Sequence, residues 1–432
     1  MLEEINSILD QIIKEGKLGS DFSFRPMQRE TITAICKAYF EDPQATIVID
    51  APTGTGKSII AMASSLVLSM LDKKGYMITS DLSLQDQYES DFLLNAGKIL
   101  GLIQVVEREG LNTLKVEILS QEALSTSSIE GEILDRDSVQ SSIKKHLGLQ
   151  TDFRRVEPNV AGIAEMMVDL FQKYDTVLTH EMLFEWYKML MNGRRDVDNI
   201  GGYRSHNEPM QIISGNLANP RIFYEAPPSH LVLSEMDKFI HWYKTQLKTN
   251  IPTLAFAGIT HLYFEMIHPF EDGNGRIGRA LIERSISQRL GKPIFMSMAK
   301  AIENRKKAYY EAIQNCNHQL QIDKYLSYFA QTVLESQEYT IQLIHFILLK
   351  VKLFNQFQTQ LNDRQIKVLL RVFEVGMEGF KGGLSAKNYQ SISQTSAATV
   401  TRDLQELVNL GILIKTGELK STRYWLNKQL NI

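Results

Sequence analysis

The residues from His268 to Arg279, His-Pro-Phe-Glu-Asp-Gly-Asn-Gly-Arg-Ile-Gly-Arg, bring together what phosphate chemistry needs. Pro269 has no amide hydrogen and ends the helix-like run Ala257–Met266 just after His268. Gly273 and Gly275 tolerate positive φ, and a new helix starts near Arg276 with Ile277, Ala280 and Leu281 on one apolar face. A Gly-rich loop opening a helix presents free amides and the positive end of a dipole, a site for phosphate around Gly273, Asn274 and Gly275. Arg276 and Arg279, three apart, add charge-assisted contacts to the same anion. Asp272 is placed to hold a divalent cation, and a triphosphate usually arrives with Mg2+. His268, with an ordinary pKa near ~6.5, suits proton abstraction at neutral pH. The sum is nucleotide-dependent transfer to a hydroxyl, with phosphates cradled, charge offset and a proton taken by His268.

A second phosphate loop stands near the start. Ala51-Pro-Thr-Gly-Thr-Gly-Lys-Ser58 follows the strand-like Thr46–Asp50 and precedes a helix-like run from Lys57 to Leu71. Gly54, Gly56, Lys57 and Ser58 are its nucleotide-contacting candidates, although Ala51 stands where such loops usually begin with Gly.

These loops need scaffolds. The chain has 432 residues, too many for a single core. Apolar residues make up 44% and charged residues 22%, as in ordinary soluble proteins. A net charge of -3 gives no global attraction to nucleic acid or acidic membrane. Cys36 and Cys316 form no disulfide framework, and the N-terminus lacks a signal-peptide pattern, so a cytoplasmic location is expected. The most apolar late stretch, Tyr339–Phe354, is interrupted by Gln342, His345, Lys350 and Lys352, and no membrane span is expected.

Texture divides the chain into an α/β segment at 1–92, a helical region at 93–150, a helical core at 151–335 with an extended patch near Gly201–Ile222, a linker helix at 336–360 and a third unit at 361–432. In the last, Leu384–Tyr389, a turn at Ser393–Ser396 and the helix Ala397–Leu410 read as helix-turn-helix. Gly411–Leu426 alternates like two strands around Thr416–Glu418.

The segment from His268 to Arg279 resembles, without departure, the signature of the Fic family, His-x-Phe-x-Asp/Glu-Gly-Asn-Gly-Arg-x-x-Arg. The resemblance extends over roughly residues 93–335 and implies a mainly α fold, a Fic helical core with a β-hairpin flap. It implies transfer of AMP from ATP, with Mg2+, to Tyr, Thr or Ser of a target protein. His268 would be the base, Asp272 the metal ligand, and Gly273, Asn274, Gly275, Arg276 and Arg279 the phosphate contacts. Gly202–Arg204 through Met210–Ile213 is similar to the family's flap. Asn304-Arg305 and Tyr309-Tyr310 followed by Asn317 look like the segment contacting adenine, which makes Tyr309 and Asn317 candidates, while a Tyr pair in a helix also serves core packing.

Thr126-x-x-x-Glu130-Gly131 is similar to the inhibitory motif of one class of these proteins. Glu130 beside Arg279 would occupy the room of the γ-phosphate. In some relatives this glutamate helps remove AMP, so an enzyme that mainly removes AMP or transfers another group is the alternative. So is an ATP-sensing DNA-binding regulator. The third unit resembles a winged helix-turn-helix, which serves either DNA or protein partners, and a homodimer is a further expectation. Phe24–Glu30 and Thr79–Gln87 around the first loop look like the opening of a DEAD/DEAH-type helicase. No later helicase motif follows, leaving a partial P-loop segment that is a truncated remnant, a fusion artefact or a nucleotide-sensing appendage.

Overall fold

The computed structural model describes residues 2–14, 24, 26–41, 82–151, 154–206, 208, 210–214, 221–318, 322–428 and 430. The phosphate loop with Gly54, Gly56, Lys57 and Ser58, the strand-like Thr46–Asp50 before it and the run Lys57–Leu71 after it lie outside these described residues. Helices α1 (Leu2–Lys14) and α2 (Pro26–Glu41) precede them.

The rest is helical apart from two hairpins. In chain order come α3 (Leu82–Gln104), α4 (Arg108–Ile129), α5 (Arg136–His146), α6 (Pro158–Gln172), α7 (His180–Leu190) and the strands β1 (Gln211–Ser214) and β2 (Arg221–Glu225). Then follow α8 (Ser229–Gln246), α9 (Thr253–Ile267), α10 (Asn274–Leu290), α11 (Met298–Asn304), α12 (Lys306–His318) and α13 (Asp323–Phe357). The C-terminal unit holds α14 (Asp363–Val375), α15 (Ala386–Ser393), α16 (Ala397–Asn409), β3 (Leu413–Thr416) and β4 (Arg423–Leu426).

Helix α9 is the hub. Residues on every side of it are buried, from Leu254 and Phe256 to Phe264 and Ile267, with Thr260, His261 and Glu265 as buried polar positions among them. One core lies on its α6–α8 side, where Trp186 and Tyr187 are 1% and 0% exposed. Burying each such ring contributes roughly 2–3 kcal/mol. A second core, with Phe92, Ile282, Tyr325 and Phe329, fills the space between α9, α10 and α13. Glu89 of α3 accepts from the first free amides of α9, Thr253 N at 2.8 Å and Leu254 N at 3.0 Å. That closes orphan donors and ties α3 to the hub.

Two elements cross boundaries expected from texture. Helix α3 runs through residue 92, and Phe92 is in the second core with its carbonyl held by Gln337. Helix α13 runs unbroken through 335 and 336, since no Gly or Pro interrupts Asp323–Phe357. At ~1.5 Å per residue it is about 50 Å long, and its last turns, with Phe346, Leu349 and Leu353, enter the core of the C-terminal unit. There α14 opens on a capping box between Asn362 and Gln365, α16 stops at Gly411 (φ 72°), and β3 pairs antiparallel with β4. Asp403 of α16 accepts from Arg364, Asn362 and Tyr389 and knits the three helices together. No helix among the described residues is long and apolar enough to cross a membrane.

Candidate active site

The site forms where α9 ends and α10 begins. His268 leaves α9 in the left-handed region (φ 50°, ψ 59°), a conformation that costs a non-glycine residue energy and turns the chain into Pro269. Gly273, also left-handed at φ 77°, then opens α10. Asn274 closes the loop between them. Its Oδ1 accepts from Phe270 N at 2.9 Å and its Nδ2 donates to Phe270 O at 2.8 Å. The Asn274 side chain therefore faces inward, 2% exposed, and only its backbone amide is left for a phosphate.

Arg204 anchors the other side of the loop. Its Nε donates to His268 O at 2.8 Å, its backbone N–H to Pro269 O at 2.9 Å, and its remaining nitrogens to Ser229 Oγ and Pro227 O. The extended patch is a hairpin, β1 against β2, with Ile212 opposite Tyr224 and a register shift between Ile212 and Ile213. Tyr224 Oη donates to Met266 O at 2.6 Å, so the hairpin stands beside the His268 loop.

The His268 side chain is 18% exposed. Its Nδ1 faces the Glu265 carbonyl at 3.3 Å, a bond that needs the hydrogen on Nδ1 and leaves Nε2 as the proton acceptor. Burial pushes the imidazole down to about 4, with the Arg204 charge working the same way against the Glu265 carbonyl. It is therefore neutral at pH 7, the form a general base needs.

Helix α4 delivers two carboxylates to the two arginines. Glu130 stands at its C-cap and Gly131 (φ 88°) turns the chain away. Arg279 Nη2 meets Glu130 Oε1 at 2.6 Å, while its Nε and Nη2 also donate to Thr126 Oγ1 and Thr126 O at 2.7 and 3.1 Å. Burial works against the Arg279 charge, but Glu130 outweighs it and the guanidinium is held above its ordinary value. A Cβ at residue 275 would stand 2.4 Å from Glu130 Oε1. The carboxylate thus lies directly over the Gly275 backbone, where a helix N-terminus receives an anion. Two residues on, Glu132 Oε2 pairs with Arg276 Nη1 at 3.1 Å. Glu122 fixes α4 in this pose by accepting from Ala299 N at 2.8 Å and Ser297 Oγ at 3.1 Å at the start of α11.

Asp272 is engaged by Arg194 Nη1 at 2.8 Å and faces Arg276 Nη2 at 3.7 Å. Burial would raise its pKa, but Arg276 and Arg194 outweigh that and keep the carboxyl below its ordinary value. Among the described residues no group of three or more His, Cys, Asp or Glu gathers around a metal position. A half-exposed single carboxylate fits Mg2+ that is held mainly by a nucleotide's phosphates and waters.

Tyr309 lies in the core, 3% exposed, with its hydroxyl against His261 Nε2 at 3.0 Å. Its neighbour Tyr310 is 42% exposed and lies near enough to Glu130 and Arg279 to feel both charges. Of the two rings expected near a nucleotide, Tyr310 is the accessible one and Tyr309 is core-packed. Asn317 is on α12, but its side chain falls outside the described residues. Sequence reasoning missed Glu132, Arg194, the anchoring by Arg204 and the Glu265 carboxylate. Only Glu132 left a local signal, as the second acid of Ile129-Glu-Gly-Glu-Ile133.

Parts of the chain are similar to known proteins. Residues 177–285 match the model of the Fic/DOC family, and residues 79–149 match a family described as a domain of unknown function, DUF4172. The chain is 32% identical over 175 residues to a probable protein adenylyltransferase of Aquifex aeolicus, a match covering 39% of this chain and 50% of that protein. The chain thus spans about half the length of that curated relative. Among solved structures, a Fic family protein of Desulfovibrio desulfuricans is 19% identical with a TM-score of 0.47, covering 79% of this chain and 96% of that one. A Fic domain-containing signaling protein of Bacteroides thetaiotaomicron is 18% identical with a TM-score of 0.45, covering 60% of this chain and 97% of that one. Residues 177–285 are thus similar to the Fic/DOC family, and part of the chain is similar to a probable protein adenylyltransferase.

Proposed function

We propose that this chain transfers AMP from ATP to a hydroxyl of a target protein and is held in check by Glu130. The observation that carries the reading is the Glu130 carboxylate over Gly275 and against Arg279, a built-in anion on the loop that His268 flanks. With Glu130 withdrawn, and Glu132 with it, the α10 amides, Arg276 and Arg279 are free to take the β- and γ-phosphates. Asp272 would share Mg2+ with them. The target hydroxyl oxygen then attacks the α-phosphorus as His268 Nε2 takes its proton, and pyrophosphate leaves with the electron pair of the broken P–O bond. The β1–β2 hairpin, an open edge beside His268, would align the target segment by strand addition.

The C-terminal unit reads as a winged helix-turn-helix, with β3–β4 as the wing. Arg402 on α16 and Lys420 near the wing are exposed and available to a DNA or protein partner. Transfer of label from α-labelled ATP, compared between the parent and Glu130→Gly proteins, tests the proposed activity.

A further inference from the structure

The carboxylate of Glu265 has no part in the chemistry above, yet the fold makes room for it. Glu265 sits in the last turn of α9 and is 8% exposed. Its Oε2 lies 3.8 Å from His268 Nδ1 and its Oε1 3.8 Å from His261 Nε2. Oε1 is buried and accepts no hydrogen bond. A Cβ at residue 278 would stand 2.4 Å from that oxygen, so glycine at 278 on α10 leaves the space in which the carboxyl lies.

His261 is already spent, with Nδ1 on Tyr325 Oη at 2.7 Å and Nε2 on Tyr309 Oη at 3.0 Å. That leaves His268 as the ring whose charge can change beside Glu265. The other groups that act on this pocket are few. Arg279 of α10 attracts the carboxylate and Glu130 at the end of α4 repels it. Tyr309 of α12 and Tyr325 of α13 present neutral phenols, while Arg204, Glu130 and Asp272 act on His268 itself.

We propose that Glu265 is a positioning residue for His268: its carboxylate offsets the positive charge the imidazole acquires on taking the hydroxyl proton, while its backbone carbonyl keeps Nδ1–H turned inward. This rests on the AMP-transfer reading above. The physical need is clear, because an imidazolium formed in a buried pocket beside Arg204 needs a counter-charge, and the Glu265 carboxylate lies 3.8 Å from its Nδ1. Burial pushes Glu265 up to about 7, with Arg279 opposing and Glu130 adding to the rise. The supporting charge therefore appears as pH rises through neutrality, and it appears earlier once Glu130 has withdrawn.

The test uses the full chain in the Glu130→Gly background. Adding Glu265→Gln is expected to lower kcat for AMP transfer about 100-fold with KM for ATP unchanged, and to remove the rise in kcat near neutral pH. Gly278→Ala, which keeps the carboxyl but displaces it, should move the profile in the same direction. An independent readout is the 15N shift of His268 Nδ1, assigned by its loss in His268→Gln. It should move between pH 6 and 8 with Glu265 present and stay flat in the Glu265→Gln protein. A flat resonance with Glu265 present, or kcat within about twofold after Glu265→Gln, overturns the role. Absence of transfer with a responsive resonance overturns the AMP-transfer reading instead, and the role with it.

Discussion

Arg279 on α10 is 1% exposed and meets Glu130 at the end of α4 at 2.6 Å, with Thr126 one turn earlier accepting two more of its bonds. One guanidinium thus docks α4 and, in the proposed reaction, must also hold a phosphate. Arg279→Ala would leave Glu130 without its cation and the buried Thr126 acceptors without a donor, which costs about 1–3 kcal/mol. We expect a lower Tm by calorimetry and no label transfer even when combined with Glu130→Gly. Arg279→Lys keeps the charge but loses the fork, so it should recover part of the stability and little activity.

The loop depends on Asn274 as a clamp. Asn274→Ala strands the buried N–H and C=O of Phe270, each costing about 1–3 kcal/mol when unsatisfied. Denaturant unfolding should show that loss, and ATP binding should weaken because Gly273–Gly275 no longer hold their shape. Unchanged stability would contradict the clamp.

Tyr309 and Tyr310 should separate cleanly. Tyr310→Ala, at the exposed ring, is expected to raise KM for ATP about 10-fold through lost stacking, near ~1.4 kcal/mol. Tyr309→Phe should leave KM unchanged and lower stability by about 1 kcal/mol through the lost bond to His261. Steady-state kinetics and melting of both proteins decide the assignment.

Buried titratable groups set opposite pH trends. His268, held down to about 4 from 6.5, stays neutral in the fold while the unfolded chain takes up its proton. Its contribution is present above about pH 6.5 and is lost as pH falls towards 4. Glu265, pushed up to about 7 from 4.5, keeps its proton in the fold while the unfolded chain releases it. Its contribution is present below about 4.5 and is lost as pH rises to 7. The difference in Tm between pH 7 and pH 5 should therefore become more positive in Glu265→Gln and more negative in His268→Gln.

What the sequence could show was local. Pro269 and the glycines at 273 and 275 announce a tight loop between two helices because their backbone constraints act within a few residues. The Fic match, over residues 177–285, includes that stretch. The placement of Tyr309 was not legible, because adjacent aromatic residues differ by ~100° around a helix and composition does not say which one faces in. Arg194, Arg204 and Glu265 reach the site from separate elements, and only the fold brings them together. Unbroken α13 hides the boundary expected near 335, since a helix gives no composition break where one unit hands over to the next. The helicase-like loop at 51–58 lies outside the described residues.

The most direct measurement is transfer from α-labelled ATP with Mg2+ by the parent, Glu130→Gly and Glu130→Gly/His268→Ala proteins, each checked for folding. The account predicts little label with the parent, at least about 10-fold more with Glu130→Gly, equivalent to ~1.4 kcal/mol, and none above background with the double variant. Equal labelling by the parent and Glu130→Gly would contradict the brake, and labelling that survives His268→Ala would contradict the base.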